Sequence, residues 1–331
     1  MANYTTIDDP SAFFQTMLHA EDDTAFTFDG NSDLQPDMIW NKNRDENNYE
    51  HHIIDSVRGV SKLARVSTTT AEFTSADSIT AIGSNGFTTG ADNNGYVSSG
   101  TDKQVSWCWK ESATAGFDIV SYTGNASART ISHNCGAIPT MMIVKKRSDA
   151  DNWSVYHRIT GAGNFTILNT TAASAGSSTM WNNTTPTSSV FSLGNKGEVN
   201  ANSQTFIAYL FTDIQGYSKT FTYEGNSNIN GPFVYLGFKP AFVLTKPIDS
   251  ADNWNMFDNK RLTFNSGTSP FALTPNNANL ETTDTHQLDF LSNGFKINNA
   301  GNTVNRGNTF IGIAFAEAPM VTSTGIPTTA R

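Results

Sequence analysis

Few residues in this chain have the types and spacing that chemistry requires. Aspartates gather at two points, Asp149 and Asp151 before Asn152-Trp153, and Asp249 and Asp252 before Asn253-Trp254. Carboxylates at a loop tip can ligate Ca2+; they can equally cap a hairpin turn through their own backbone, with no ion. Paired carboxylates also hydrolyse glycosides, but these recur with a repeat, as structural residues do, whereas a catalytic pair would occur once. His51 and His52 are adjacent, so on a strand they point to opposite faces and do not share a ligand. Cys108 alternates with Trp107 and Trp109 and reads as core; Cys135 sits in a turn-like His-Asn-Cys-Gly. With no secretion signal no disulfide is expected between them, and two cysteines argue against a complete zinc site. No nucleophile elbow, P-loop, His-Glu-x-x-His or dinucleotide motif is present. No catalytic activity, cofactor or metal is therefore expected. Trp153 and Trp254 recur beside apolar alternation and read as core anchors. Trp181 lies in Met180-Trp181-Asn182-Asn183-Thr184-Thr185-Pro186, a polar loop, and is a candidate for ligand contact.

The elements that would position these residues repeat. Ile138 to Trp153 and Lys239 to Trp254 share an opening Pro, an apolar run, a Lys and an Ala-Asp-Asn-Trp end, and a weaker copy starts at Gln35-Pro36. The prolines stand at positions 36, 139 and 240, and strand-ending aromatics at 109, 211 and 315. A period of about 100 residues suits a small domain and is too long for a solenoid repeat. Short apolar or alternating runs between Asn-, Gly- and Ser-rich turns predict strands. The expected fold class is all-β: three tandem antiparallel β-sandwich modules at 26–115, 116–216 and 217–319. An N-terminal arm at 1–25 and a C-terminal tail at 320–331 flank them. In the arm, Asp9 is a plausible N-cap, Pro10 fits a first helical position, and Phe13, Phe14, Met17 and Leu18 fall on one helical face. A short helix is expected there, with these four as candidate assembly contacts. Aromatics before Gly-Asn at Phe28, Tyr122 and Tyr223 are taken as equivalent, which leaves the first module about one strand short.

Composition narrows the partners. The 331 residues carry a net charge of −9, with 15% charged and 37% hydrophobic residues. No Lys/Arg cluster marks a nucleic-acid footprint. No apolar run reaches the ~18 residues of a membrane span. The start lacks a signal-peptide pattern, so synthesis in a cytosol is expected.

Several stretches resemble virion proteins of tailed phages that infect marine bacteria. They are Thr5 to Thr16; Pro36-Asp37-Met38-Ile39-Trp40-Asn41-Lys42-Asn43-Arg44 with Asp55-Ser56-Val57-Arg58-Gly59; Trp107-Cys108-Trp109-Lys110; Thr179-Met180-Trp181-Asn182 with Ser188 to Gly194; and Ala314-Phe315-Ala316-Glu317. The resemblance spans almost the whole chain. It is to an uncharacterised family often labelled tail fibre and similar to lectin-like sandwiches. It implies a virion component, a tail-fibre or head-fibre adhesin for a host surface glycan or protein. The alternative it leaves is a structural part that decorates the capsid or joins tail pieces. It implies other virion proteins as partners and a homo-oligomer, a trimer by analogy with fibres, and it carries no catalytic residues.

Overall fold

A computed structural model describes residues 5–261, 272–281, 288–300 and 304–320. The tail expected at 320–331 lies, beyond residue 320, outside the described residues. The chain is all-β, built of antiparallel sheets.

Twelve strands form the backbone of three large sheets. The first takes β1 (Phe14–His19), β2 (Met38–Asn43), β3 (His52–Asp55) and β4 (Gln104–Trp109). The second takes β5 (Phe117–Thr123), β6 (Met141–Lys146), β7 (Trp153–His157) and β8 (Thr205–Phe211). The third takes β9 (Ser218–Glu224), β10 (Phe238–Pro247), β11 (Asn255–Asp258) and β12 (Thr309–Pro319). Strand order is the same in each: β1-β4-β2-β3, β5-β8-β6-β7 and β9-β12-β10-β11. The closing strand of each set lies between its first and second strands.

Register makes the correspondence residue by residue. Met38 faces Trp109 and Asp55; Met141 faces Phe211 and His157; Phe242 faces Phe315 and Asp258. On the closing strands, Trp109, Phe211 and Phe315 face Phe14, Phe117 and Ser218. A smaller two- or three-stranded sheet lies over the outer face of each large one.

Strand alternation sorts the side chains between two kinds of core. Met38 and Trp40, Met141 and Ile143, and Phe242 and Leu244 point to one central cluster that all three large sheets share. Ile39, Met142 with Val144, and Val243 point the other way, into three separate outer clusters beneath the small sheets. The apolar runs read as continuous because both faces of these strands are covered.

The N-terminal helix expected over Phe13 to Leu18 is not there. Asp9 caps only a single 3-10 turn at Pro10–Ala12, and Phe14–His19 is the strand β1. Pairing with Gln104–Trp109 satisfies six residues of backbone at once and puts Phe14 in the central core, which an isolated two-turn helix could not match. This strand also supplies the one the first module was expected to lack. Its register makes His19, not Phe28, the counterpart of Tyr122 and Tyr223.

Candidate functional site

The sheets meet along three seams, and contacts run around them in a ring. One register-equivalent position, at or just before the start of β3, β7 and β11, reaches across each seam. Trp153 Nε1 donates to the Arg65 carbonyl of the first sheet at 2.9 Å, and Trp254 Nε1 donates to Ile167 of the second at 2.9 Å. His51 holds the same position toward the third. It accepts from Trp40 Nε1 at 3.1 Å, stacks on Trp107, and faces the Thr274 carbonyl. Burial holds the His51 pKa well below the ordinary histidine range. Lys42, Lys145 and Lys246 are also register-equivalent and buried. Lys145 donates to Thr69 and Lys246 to Thr171, in each case across a seam. Desolvation lowers each of these lysines to about 8.

Two seams contain a buried ionic chain. Between the first and second sheets, Tyr209 Oη donates to Asp55 at 2.6 Å. Arg58 bridges Asp55 at 2.5 Å and Glu72 at 3.2 Å, and Arg147 closes on Glu72 at 2.9 Å. Between the third and first, Trp107 Nε1 donates to Asp258 at 3.0 Å. Arg261 bridges Asp258 at 2.5 Å and Glu281 at 2.9 Å, and Arg44 closes on Glu281 at 2.7 Å. The Asp55–Arg58 and Asp258–Arg261 pairs are closed off from solvent, and Glu72, Arg147, Glu281 and Arg44 extend the chains to partly exposed ends. That is the setting of structural ion pairs and not of groups that meet a substrate.

The acidic tips serve the same seams. Asp151 pairs with Lys146, and its amide donates to the Thr69 carbonyl; the Asp252 amide donates to Thr171. Their carboxylates accept from the next backbone amide, as does that of Asp149. Asp249 accepts from Thr309.

The structure disperses the other expected site residues. Trp181 is fully buried; its indole donates to the Asn164 carbonyl at 3.1 Å and packs edge-on against Tyr156. Asn182 and Asn183 adopt positive φ of 53° and 48°, and this turn folds the tryptophan into the second sheet's outer core. The apolar pair Met180-Trp181 was the available signal. Of the four arm residues, Phe14 is in the central core, Phe13 packs at its edge, Met17 packs on the first outer core, and only Leu18 is exposed. Cys108 and Cys135 are both free and buried.

Asp118, His133 and Cys135 offer ligand atoms within 4.8 Å of one another. Their atoms are already engaged. Asp118 accepts from the amides of Ile119 and Asn134, His133 Nε2 donates to Thr187, and His133 Nδ1 accepts from the Cys135 amide. Burial, then a hydrogen bond to Asp118, pushes the neighbouring Glu111 up to about 8.

One recess is open and polar. It has a volume of about 320 Å3 and lies where β1 meets the third sheet. Phe14, Ala241 and Ala316 line it along with Asp9, Gln15, Thr16, Asn259 and Glu317. Asp9 is fixed by Ser11 and Ser32, at 2.6 Å and 2.5 Å, and these bonds outweigh burial to hold its carboxyl below the usual range. Gln15 donates to the carbonyls of Ser11 and Ser32 and accepts from Gly30. A side chain at Gly30 would collide with it, its Cβ lying 2.6 Å from Gln15 Oε1. At the rim, Lys260 pairs with Asp29 at 2.8 Å, and Glu317 pairs with Lys239 at 2.8 Å. Sequence reasoning missed this site, because its walls come from the two ends of the chain.

The class these features define is an all-β protein with ionic seams and a surface recess. The chain belongs to the family described as a domain of unknown function, DUF7483, which matches residues 9–319. A search of curated proteins finds no match.

Proposed function

We propose that this protein is a non-catalytic binding component of a tailed-phage particle, a fibre-type adhesin for the host surface. We propose that it is built from three copies of one lectin-like β-sandwich module. The observation that carries the modular reading is the shared strand order and register of the three large sheets. The strongly perturbed groups support binding over catalysis, since the ionic chains and buried lysines sit in the seams and hold sheets together. The phage assignment rests on the sequence resemblance. In this reading the protein acts in several copies, as a trimer, so that weak single contacts with one surface add up.

The test is adsorption. Purified protein should bind host cells and compete with phage for them, and sedimentation should give three copies per particle. Ordered density on the capsid or tail wall, without cell binding, would favour a structural role. Depolymerisation of host polysaccharide would defeat both.

A further inference from the structure

The open recess has a filled counterpart in the same molecule. Register makes Thr16 equivalent to Thr220, Asn259 to Arg158, Glu317 to Asp213 and Ala241 to Thr140. The backbone repeats the match: the Arg158 amide donates to the Thr140 carbonyl, and the Asn259 amide donates to Ala241.

Between the second and third sheets, Arg158 lies in this position. Its Nη2 is 2.9 Å from the Asp213 carboxylate and 3.2 Å from the Thr220 carbonyl. Asp213 also accepts from the Thr220 hydroxyl at 2.8 Å. Between the first and second sheets the equivalent residues are Ser56, Ile119 and Glu111, with neither the arginine nor the threonine. Between the third and first, the threonine and the carboxylate remain but the arginine does not. Asn259 is too short to cross, and the recess stays open. Thr16 is 5% exposed, lines the recess, and its hydroxyl has no hydrogen-bond partner among the described residues. Three carboxylates, Asp9, Asp29 and Glu317, face the space against two lysines; Lys260 pairs with Asp29 and Lys239 with Glu317, so Asp9 is the carboxylate in excess. An orphaned hydroxyl and surplus negative charge mark a site for an outside cation.

We infer that the recess receives a guanidinium group from outside the chain, an arginine side chain of a protein partner, in the place that Arg158 takes in its sibling. A planar guanidinium can meet the Glu317 carboxylate and the Thr16 carbonyl through one nitrogen, as the Nη2 of Arg158 meets Asp213 and Thr220, and its other N–H groups can reach further acceptors that a single ammonium nitrogen cannot span. The inference goes beyond the adhesin reading and does not depend on it, because its test involves no cells.

The test titrates the full chain with N-acetyl-arginine amide at millimolar concentrations, followed by amide shifts in nuclear magnetic resonance, with guanidinium ion and N-acetyl-lysine amide alongside. The arginine compound is expected to bind saturably and at least about tenfold more tightly than the lysine one. If guanidinium ion alone matches it, the site recognises the ion and not a side chain, and the arginine assignment falls. Glu317→Gln should weaken binding at least about tenfold. Asn259→Arg should abolish it while keeping the native spectrum, because a tethered arginine then fills the recess. Arg158→Asn should open a second site of similar affinity. Absence of saturable binding, or binding untouched by Asn259→Arg, would overturn the inference.

Discussion

The seam between the first and second sheets and the seam between the second and third are the same construction with opposite chemistry. In the first, Asp55, Arg58, Glu72, Arg147 and Tyr209 form a buried chain of charge. At the register-equivalent positions of the other stand His157, Thr160, Ser174, Ile248 and Ile313. The backbone bond that aligns them is retained, Glu72 donating to Arg147 and Ser174 to Ile248. All five positions differ together. Where Ile313 offers no side-chain donor, the facing residue is not an aspartate but His157, whose Nε2 donates to the Gly312 carbonyl at 3.1 Å. The seam between the third and first sheets repeats the ionic version with Trp107 in place of tyrosine. The difference teaches that the architecture does not require the charges. It requires that they be present as a complete set or absent as one, because a lone buried charge costs far more than a matched set contributes.

The largest expected effect comes from breaking one set. Arg58→Met should lower stability by about 3–5 kcal/mol in urea denaturation, since Asp55 loses its buried partner. Arg261→Met should behave alike, and Thr160→Met should stay within about 1 kcal/mol. Equal effects of the arginine and threonine changes would end the comparison.

Acid should expose the neutral seam. Burial lowers His157 from the ordinary 6.5 to about 4. Between those values the unfolded chain binds a proton that the folded one does not, so stability falls as pH falls through that window. His157 should account for about 3 kcal/mol of the loss. His19 and His52, lowered by burial to about 4 and about 3, add their own. Denaturation at pH 6.5 and pH 4 should show a smaller difference in His157→Gln; an unchanged difference would acquit this residue.

The smallest effect should come from the largest change. Transplanting the neutral set, with Asp55→His, Arg58→Thr, Glu72→Ser, Arg147→Ile and Tyr209→Ile together, should keep stability within about 1–2 kcal/mol of the parent. A loss matching that of Arg58→Met alone would show that the first seam needs its charges.

The sequence by itself determined the β class and much of the strand framework. These follow from local patterning: a proline before an apolar run, Asn- and Gly-rich turns, and aromatics at positions 109, 211 and 315. It also carried the core role of Trp153 and Trp254, because repetition beside alternation signals packing. Tertiary structure alone decided the rest. Phe13, Phe14, Met17 and Leu18 fit a helix as well as a strand; the waiting edge of Gln104–Trp109 drew the last three into a strand and left Phe13 at the end of the turn before it. Trp181 read as exposed because its neighbours are polar, but its direction was set by two asparagines in left-handed conformation. Asp55 and Tyr209, Trp107 and Asp258, and Thr16 and Glu317 lie far apart in the chain. The first two pairs bond and the third lines one recess only because three sheets close into a ring around one core, a long-range arrangement that no local pattern encodes.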